Sequence, residues 1–138
     1  MARICKVLIV EDHDGVRALL GDIFHDEGYR FALVGSGGEM REALEDEDYD
    51  VVIIDVSLRD GESGFTLAEV ARQHGCGVVL TTGDHRHADR LQASGYHFLM
   101  KPFKVQELVA LVDRVLKEIA ARCIRRKRRD GTVFPAGQ

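Results

Sequence analysis

Three acidic residues, a threonine and a lysine stand in this 138-residue chain where apolar runs stop. Glu11 and Asp12 follow "VLIV", Asp55 follows "VVII", Thr82 closes "VVLTT", and Lys101 follows "FLM". A charge at the end of a core run is expensive to bury without a partner. If these ends meet on one rim, the carboxylates repel and raise one another's pKa unless a cation lies among them. Hard oxygen ligands with open water positions suit Mg²⁺. A metal so held leaves coordination sites for phosphate oxygens, while Lys101 can supply a point charge and Thr82 a hydrogen bond to the same group. There is no GxxxxGK[ST] loop to hold a nucleotide. A carboxylate can itself be the nucleophile and form an acyl phosphate, catalysis then being mostly positioning and charge neutralisation. Asp55 is the candidate nucleophile.

Such a rim needs strands that end side by side. Strand-like apolar runs recur at residues 4–10, 30–34, 51–54, 78–82 and 96–100. Between them apolar residues fall at helical spacing: Val16, Leu19, Leu20 and Ile23; Met40, Ala43 and Leu44; Phe65, Ala68 and Ala71; Ala88 and Leu91. The clearest helix follows the last strand, through Val105, Leu108, Val109, Val112, Leu116 and Ile119. Alternation of this kind predicts an open parallel sheet with helices on both faces, because parallel neighbours require crossover connections. In such sheets ligands bind beyond the carboxyl ends of the strands, where strand order reverses.

Length and composition fit one domain and narrow the function classes. At 45 % hydrophobic and 30 % charged residues, without a Pro-rich or Ser-rich linker, the chain reads as soluble and globular. Its N-terminal apolar stretch at residues 7–10 is too short for a signal core or a membrane span, which predicts a cytoplasmic protein without membrane insertion. Three cysteines, Cys5, Cys76 and Cys123, have no paired spacing and are expected as thiols. His74, Cys76, His85 and His87 lie near one another but form no chelating pattern, so zinc is not expected. Residues 122–138 hold six Arg or Lys against one Asp, so a net charge of −4 divides into −9 for the body and +5 for the tail. The tail stretch "RCIRRKRR" is too short for a helix-turn-helix. It reads as a basic extension of the last helix, or as a grip on an acidic partner, and nucleic acid is not the expected partner. Residues 130–138 read as a frayed end.

Together "VLIVEDHDGVR", "VVIIDVSLRDGESG", "VVLTTGD" and "FLMKPF" resemble, in order, the receiver domain of two-component response regulators. The resemblance implies a flavodoxin-like (βα)5 fold: a doubly wound five-stranded parallel sheet of order 2-1-3-4-5, in one domain over residues 1–121. Residues 122–138 would be the basic helix extension and tail. It further implies that Asp55 is phosphorylated by a sensor histidine kinase or a histidine phosphotransfer protein. Mg²⁺ would be bound by Asp12, Asp55 and the backbone carbonyl of Ser57, with Glu11 acting through water. Lys101 would pair with the phosphoryl group, Thr82 would swing to hydrogen-bond it, and Phe98 would be the aromatic switch. Lys101-Pro102 matches a bond usually cis in the family.

Three features depart from the family pattern: Arg59 where proline is frequent, Gly83 in place of alanine, and a Gly95-to-Lys101 spacing one residue short. The resemblance further implies that Ser57 and Asp84, two residues beyond Asp55 and Thr82, occupy positions that tune dephosphorylation in receivers. With no effector segment after the receiver, the expectation is a stand-alone regulator that signals to an unknown protein target by phosphorylation-dependent contacts, homodimerisation being left open. It is not expected to be an enzyme acting on a metabolite. Two rival readings stand beside this one. A metal-dependent phosphohydrolase on the same rim would call for a second acid near the strand-three or strand-four ends, as in an Asp-x-Asp pair, whereas the residue two after Asp55 is Ser57. A phosphorylation-independent module would act through the basic tail. On their own, Glu11 and Asp12 could instead cap the helix beginning near Asp14, and Phe98 could be plain core.

Overall fold

The structure, a computed structural model, describes residues 5–59 and 61–129, with side chains described through Ala121. Its elements alternate as the apolar pattern predicts: β1 (Lys6–Val10), α1 (Asp14–Asp26), β2 (Arg30–Val34), α2 (Gly37–Asp46), β3 (Val51–Asp55), α3 (Gly64–Gln73) and β4 (Gly77–Thr82). After these come a 3₁₀ turn (His85–His87), α4 (Ala88–Ser94), β5 (His97–Met100) and α5 (Val105–Arg129). All strand pairs are parallel and the sheet order is β2-β1-β3-β4-β5. This is the flavodoxin-like architecture expected from the sequence.

Alternate residues of each strand face opposite sides of the sheet, and two cores result. Val7, Ile9, Val51, Ile53 and Val79 pack against Leu20 and Phe24 of α1 and against Leu108, Val112 and Val115 of α5. Leu8, Val10, Val52, Ile54, Val78 and Leu80 pack against Met40, Leu67, Ala68 and Leu91 from α2, α3 and α4. β3 and β4 are buried along their whole length, which is why "VVIID" and "GVVLTT" read as unbroken runs. From β1 the chain passes to β2 on one side and then crosses to β3 on the other, so order reverses between β1 and β3. Glu11 and Asp12 leave the sheet at that point beside Asp55.

Element ends show where local chemistry overrode the apolar pattern. β3 runs one residue past its apolar run, because Asp55 is laddered opposite Thr81. β5 begins at His97 rather than Tyr96, whose N–H bonds the Ser94 hydroxyl instead. Helix α4 has only seven residues and is closed by Gly95, which takes the left-handed conformation with φ 80°. Helix α1 is capped by His13, whose Nδ1 accepts from the Val16 N–H at 3.2 Å. The alternative in which Glu11 and Asp12 cap that helix is thereby corrected. Ser36 and Ser63 cap α2 and α3. The Lys101–Pro102 bond is cis. Helix α5 continues to Arg129, while the expectations for Ile4 and residues 130–138 fall outside the described residues. Among the described residues no helix is long and apolar enough to cross a membrane.

Gly64 ties α3 to the backbone that follows Asp55. A Cβ there would lie 2.6 Å from Val56 Cα and 3.0 Å from the Asp55 carbonyl oxygen. Gly64→Ala is therefore expected to force the β3–α3 connection apart and to cost about 1–3 kcal/mol. Urea denaturation reads this as a lower midpoint at unchanged slope; a midpoint equal to that of the parent would refute the close-packing argument.

Candidate functional site

The ladder that builds the sheet also builds the site. Val10 lies opposite Ile54, so the residues that follow them, Glu11 and Asp55, emerge side by side. The Glu11 N–H bonds the Val34 carbonyl at 3.1 Å, the Val56 N–H bonds the Thr81 carbonyl at 2.8 Å, and the Lys101 N–H bonds the Thr82 carbonyl at 2.7 Å. These bonds carry the pairing past each strand end and fix the backbone from which the side chains project.

One carboxylate oxygen from each of Glu11, Asp12 and Asp55 falls in a group whose members lie within 4.8 Å of one another. Glu11 is 2 % and Asp55 7 % exposed. The Lys101 Nζ stands between them, donating to Glu11 Oε1 at 2.7 Å and to Asp55 Oδ2 at 3.2 Å. The other oxygen of Asp55, Oδ1, accepts from the Ser57 N–H at 2.8 Å. Asp12 Oδ2 accepts from the Arg59 N–H at 3.0 Å and faces the Arg59 guanidinium at 3.3 Å. The departure from proline at residue 59 thus gives Asp12 a cationic neighbour. Arg17 donates to the Glu11 carbonyl at 2.9 Å and bonds Asp14, bracing the start of α1 against the rim.

Burial, followed by the neighbouring Asp55, holds the Glu11 carboxyl above its ordinary pKa, and Lys101 only partly opposes this. Burial works against the charged form of Lys101 too, but the bond to Glu11 and the charges of Asp55 and Glu11 outweigh it, so its pKa is raised. One ammonium is shared by two buried carboxylates, with a third beside them. The donor set is all hard oxygen and its negative charge is not balanced by Lys101, which is the chemistry that fits Mg²⁺.

Thr82 is fully buried at the end of β4. Its hydroxyl accepts from the Asp84 N–H at 3.0 Å and lies 3.2 Å from the Ser57 hydroxyl and 3.2 Å from His87 Nδ1. Phe98 is half-buried opposite Leu80 and packs against the same core, so it shares a sheet face with Thr82. The structure therefore brings Glu11, Asp12, Asp55, Ser57, Thr82 and Lys101 to one rim, with Phe98 two residues back along β5 from the Met100 that lies opposite Thr82.

Three of the four residues weighed for zinc bond separate partners. The His74 ring meets the Val70 carbonyl, the Cys76 thiol donates to the Tyr49 carbonyl, and His87 meets Thr82. Burial pushes the Cys76 thiol up to about 11, as befits a core residue. An added Cβ at Gly83 would meet Lys101 Cβ at an ordinary 3.8 Å, so the alanine common at this position would fit. Sequence reasoning missed His87 and the pairing of Arg59 with Asp12. A histidine five residues past Thr82, at the start of a helix, was the available signal for the first.

The family model of the response regulator receiver domain matches residues 7–113. The chain belongs to the response regulator receiver family. Receivers of this family are phosphorylated on an aspartate in two-component signalling and bind Mg²⁺ at an acidic site. Among curated relatives, the TorCAD operon transcriptional regulatory protein TorR of Escherichia coli K12 is 32 % identical over 117 residues, covering 82 % of this chain and 50 % of TorR. Transcriptional regulatory protein GltR of Pseudomonas aeruginosa is 32 % identical over 119 residues, covering 81 % of this chain and 49 % of GltR. The receiver thus spans about half the length of these relatives. A CheY-like receiver from Methanospirillum hungatei has the same fold, with a TM-score of 0.77 at 23 % identity, covering 87 % of this chain and 99 % of its own. TrrA of Thermotoga maritima, solved in complex with Mg²⁺ and BeF, superposes with a TM-score of 0.72 at 25 % identity, covering 80 % of this chain and 98 % of TrrA.

Removing the cation of the site should expose how much it holds. Lys101→Met leaves Glu11 and Asp55 without their shared ammonium, and is expected to lower stability at neutral pH in metal-free buffer by about 1–3 kcal/mol. The loss is held below that of a fully buried pair because the Lys101 side chain is 26 % exposed. Part of it should return on adding Mg²⁺. Equal denaturation midpoints for the two proteins, with and without Mg²⁺, would contradict the shared-cation account.

Proposed function

We propose that Asp55 is the phosphoacceptor of a Mg²⁺-dependent phosphorelay, supplied by a sensor histidine kinase or a histidine phosphotransfer protein. What supports the reading is one arrangement: Asp55 belongs both to the carboxylate group and to the pair held by Lys101, with each of its oxygens already oriented. Asp12, Asp55 and the Ser57 carbonyl would hold the metal and Glu11 would act through water. The metal, when bound, supplies charge neutralisation for the phosphoryl oxygens. In the transfer an Asp55 oxygen forms a bond to phosphorus as the phosphorus–nitrogen bond of the donor phosphohistidine breaks, and the imidazole leaves with the electron pair and takes up a proton. The chain contributes positioning: Ser57 N–H and Lys101 fix the carboxylate that attacks, and Lys101 stays to pair with the added charge.

Phosphorylation adds about −1.5 to −2 charge at neutral pH. Its effect on conformation is limited to differential contacts with the two states, and here those contacts are Lys101 and the Thr82 hydroxyl. Thr82 turns toward the phosphoryl group, Phe98 repacks against the face it shares with Thr82, and a downstream protein reads the altered surface. TorR and GltR are transcriptional regulators by name, which returns DNA to the classes of partner served by such signals. The proposal itself concerns the receiver unit, acting by protein contact in the cytoplasm, and holds whether its output is delivered in cis or in trans. It does not make the protein an enzyme for a metabolite: a hydrolase using an Asp-x-Asp pair would call for an acid two residues after Asp55, where Ser57 stands and its hydroxyl faces Thr82.

Intact-mass measurement after incubation with Mg²⁺ and a small acyl phosphate should show one added phosphoryl group. Asp55→Asn should abolish it, and Asp12→Asn should reduce its rate at low Mg²⁺. An adduct that persists in Asp55→Asn would place the acceptor elsewhere.

A further inference from the structure

The Thr82 hydroxyl is fully engaged before any phosphoryl group arrives. A hydroxyl offers one donor and two acceptor positions, and Thr82 Oγ1 meets three partners: the Asp84 N–H at 3.0 Å, the Ser57 hydroxyl at 3.2 Å and His87 Nδ1 at 3.2 Å. The third is the unusual one. His87 stands at the N-cap of α4, yet its side chain makes no capping bond there. His13, at the N-cap of α1, does use its Nδ1 for that purpose. The His87 ring has been turned away from its own helix and onto the threonine.

Its placement is well braced. The His87 N–H bonds the Asp84 carbonyl at 3.1 Å, closing the 3₁₀ turn. Asp84 in turn grips Arg86 through the backbone N–H at 2.9 Å and the guanidinium at 2.7 Å, and this Arg86 bonding holds the Asp84 carboxyl below its ordinary range. The turn therefore carries the imidazole to a fixed point beside Thr82, and the same residue begins α4.

We propose that His87 is a positioning residue that latches the Thr82 hydroxyl in the unphosphorylated state, so that phosphorylation must break this bond and in doing so frees the start of α4. The inference rests on the reading of Thr82 as the hydroxyl that follows the phosphoryl group. With every position on Oγ1 occupied, Thr82 can donate to a phosphoryl oxygen only by giving up a present partner. Ser57 lies in the loop that directly follows Asp55, whereas His87 belongs to the turn that leads into α4. Movement of Thr82 toward Asp55 thus opens the contact with His87. The latch lowers the apparent affinity of the site for a phosphoryl group and reports its arrival to α4.

The test titrates Mg²⁺ with beryllofluoride, a phosphoryl mimic, into the full chain and follows backbone amide NMR signals. Removing a single net hydrogen bond from the resting state corresponds to a shift of about 3- to 10-fold. His87→Ala should therefore bind beryllofluoride about 3- to 10-fold more tightly, and its resting signals for residues 88–94 should already lie part-way toward the bound positions. His87→Asn, whose side-chain amide can take the place of Nδ1, should restore parental behaviour, which a mere loosening of α4 would not predict. Combined with Thr82→Val, His87→Ala should add no further change, as expected of two residues acting through one contact. If Thr82→Val by itself leaves both affinity and spectra at parental values, the reading of Thr82 fails. If Thr82→Val alters the response while His87→Ala binds with parental or weaker affinity, or His87→Asn behaves as His87→Ala does, the latch alone is overturned.

Discussion

The Lys101 ammonium, set between Glu11 and Asp55, is the interaction on which the rest of this receiver depends. Two carboxylates brought together at adjacent strand ends repel one another, and this ammonium is the cation they share. Its reach is set by the backbone: Lys101 comes to the rim only because its N–H extends the β4–β5 ladder onto the Thr82 carbonyl. Sheet order matters for the same reason. Strands β1 and β3 are neighbours at the point of reversal, so their ends can share one cation, while β2 lies outside them and supplies only its Val34 carbonyl to hold Glu11 in place.

That cation is too little for the charge around it. Asp12 adds a third carboxylate, less buried and turned toward Arg59, whose side chain is 79 % exposed. A pair so open to solvent is worth less than about 1 kcal/mol, so Arg59 steadies Asp12 without neutralising the site. The remaining deficit is one that a divalent cation would offset, and under the proposed function that cation would in turn receive a phosphoryl group, whose own negative charge would otherwise be repelled. Stability and function are opposed here: the arrangement that makes the rim receptive also keeps Glu11 less willing to ionise than a free glutamate. The surrounding core offsets the cost, since β1, β3 and β4 are almost wholly buried behind the rim.

Much of this was legible in the sequence, and the reasons are specific. Strands buried on both faces announce themselves as apolar runs, and β2 was bounded correctly at Arg30–Val34. Residues placed at the ends of such runs inherit their positions from the ladder, so Glu11, Asp12, Asp55, Thr82 and Lys101 could be assembled without coordinates. Side-chain direction could not. His13 rather than an acidic residue caps α1, and the N-cap preference for Asp points the wrong way in "EDHD". His87 and Arg59 were equally hidden, since a contact across a turn depends on φ, ψ and rotamer rather than on periodicity. The brevity of α4 was not visible, since the shortened Gly95-to-Lys101 spacing lies beyond the helix's end, and the 3₁₀ turn ahead of it left no apolar signature.

The two partners of Thr82 that differ in location explain how a change confined to one carboxylate can travel. Ser57 belongs to the loop next to Asp55, while His87 belongs to the entrance of α4, and a hydroxyl with one hydrogen cannot serve both of them and a phosphoryl oxygen at once. Competition for a single hydrogen is therefore enough to link the two places; no strain need be stored and no continuous chain of moving atoms is required. The close packing behind the hydroxyl makes the competition consequential. Thr82 is fully buried, so a partner lost is not replaced by bulk water, and rearrangement goes between discrete hydrogen-bonded states. With Phe98 and Met100 lining the same sheet face as Thr82, a shift there alters the packing under β5 and α4 together. Under the proposed function, this is how a receiver with Asp55 as its acceptor would present the result on its surface.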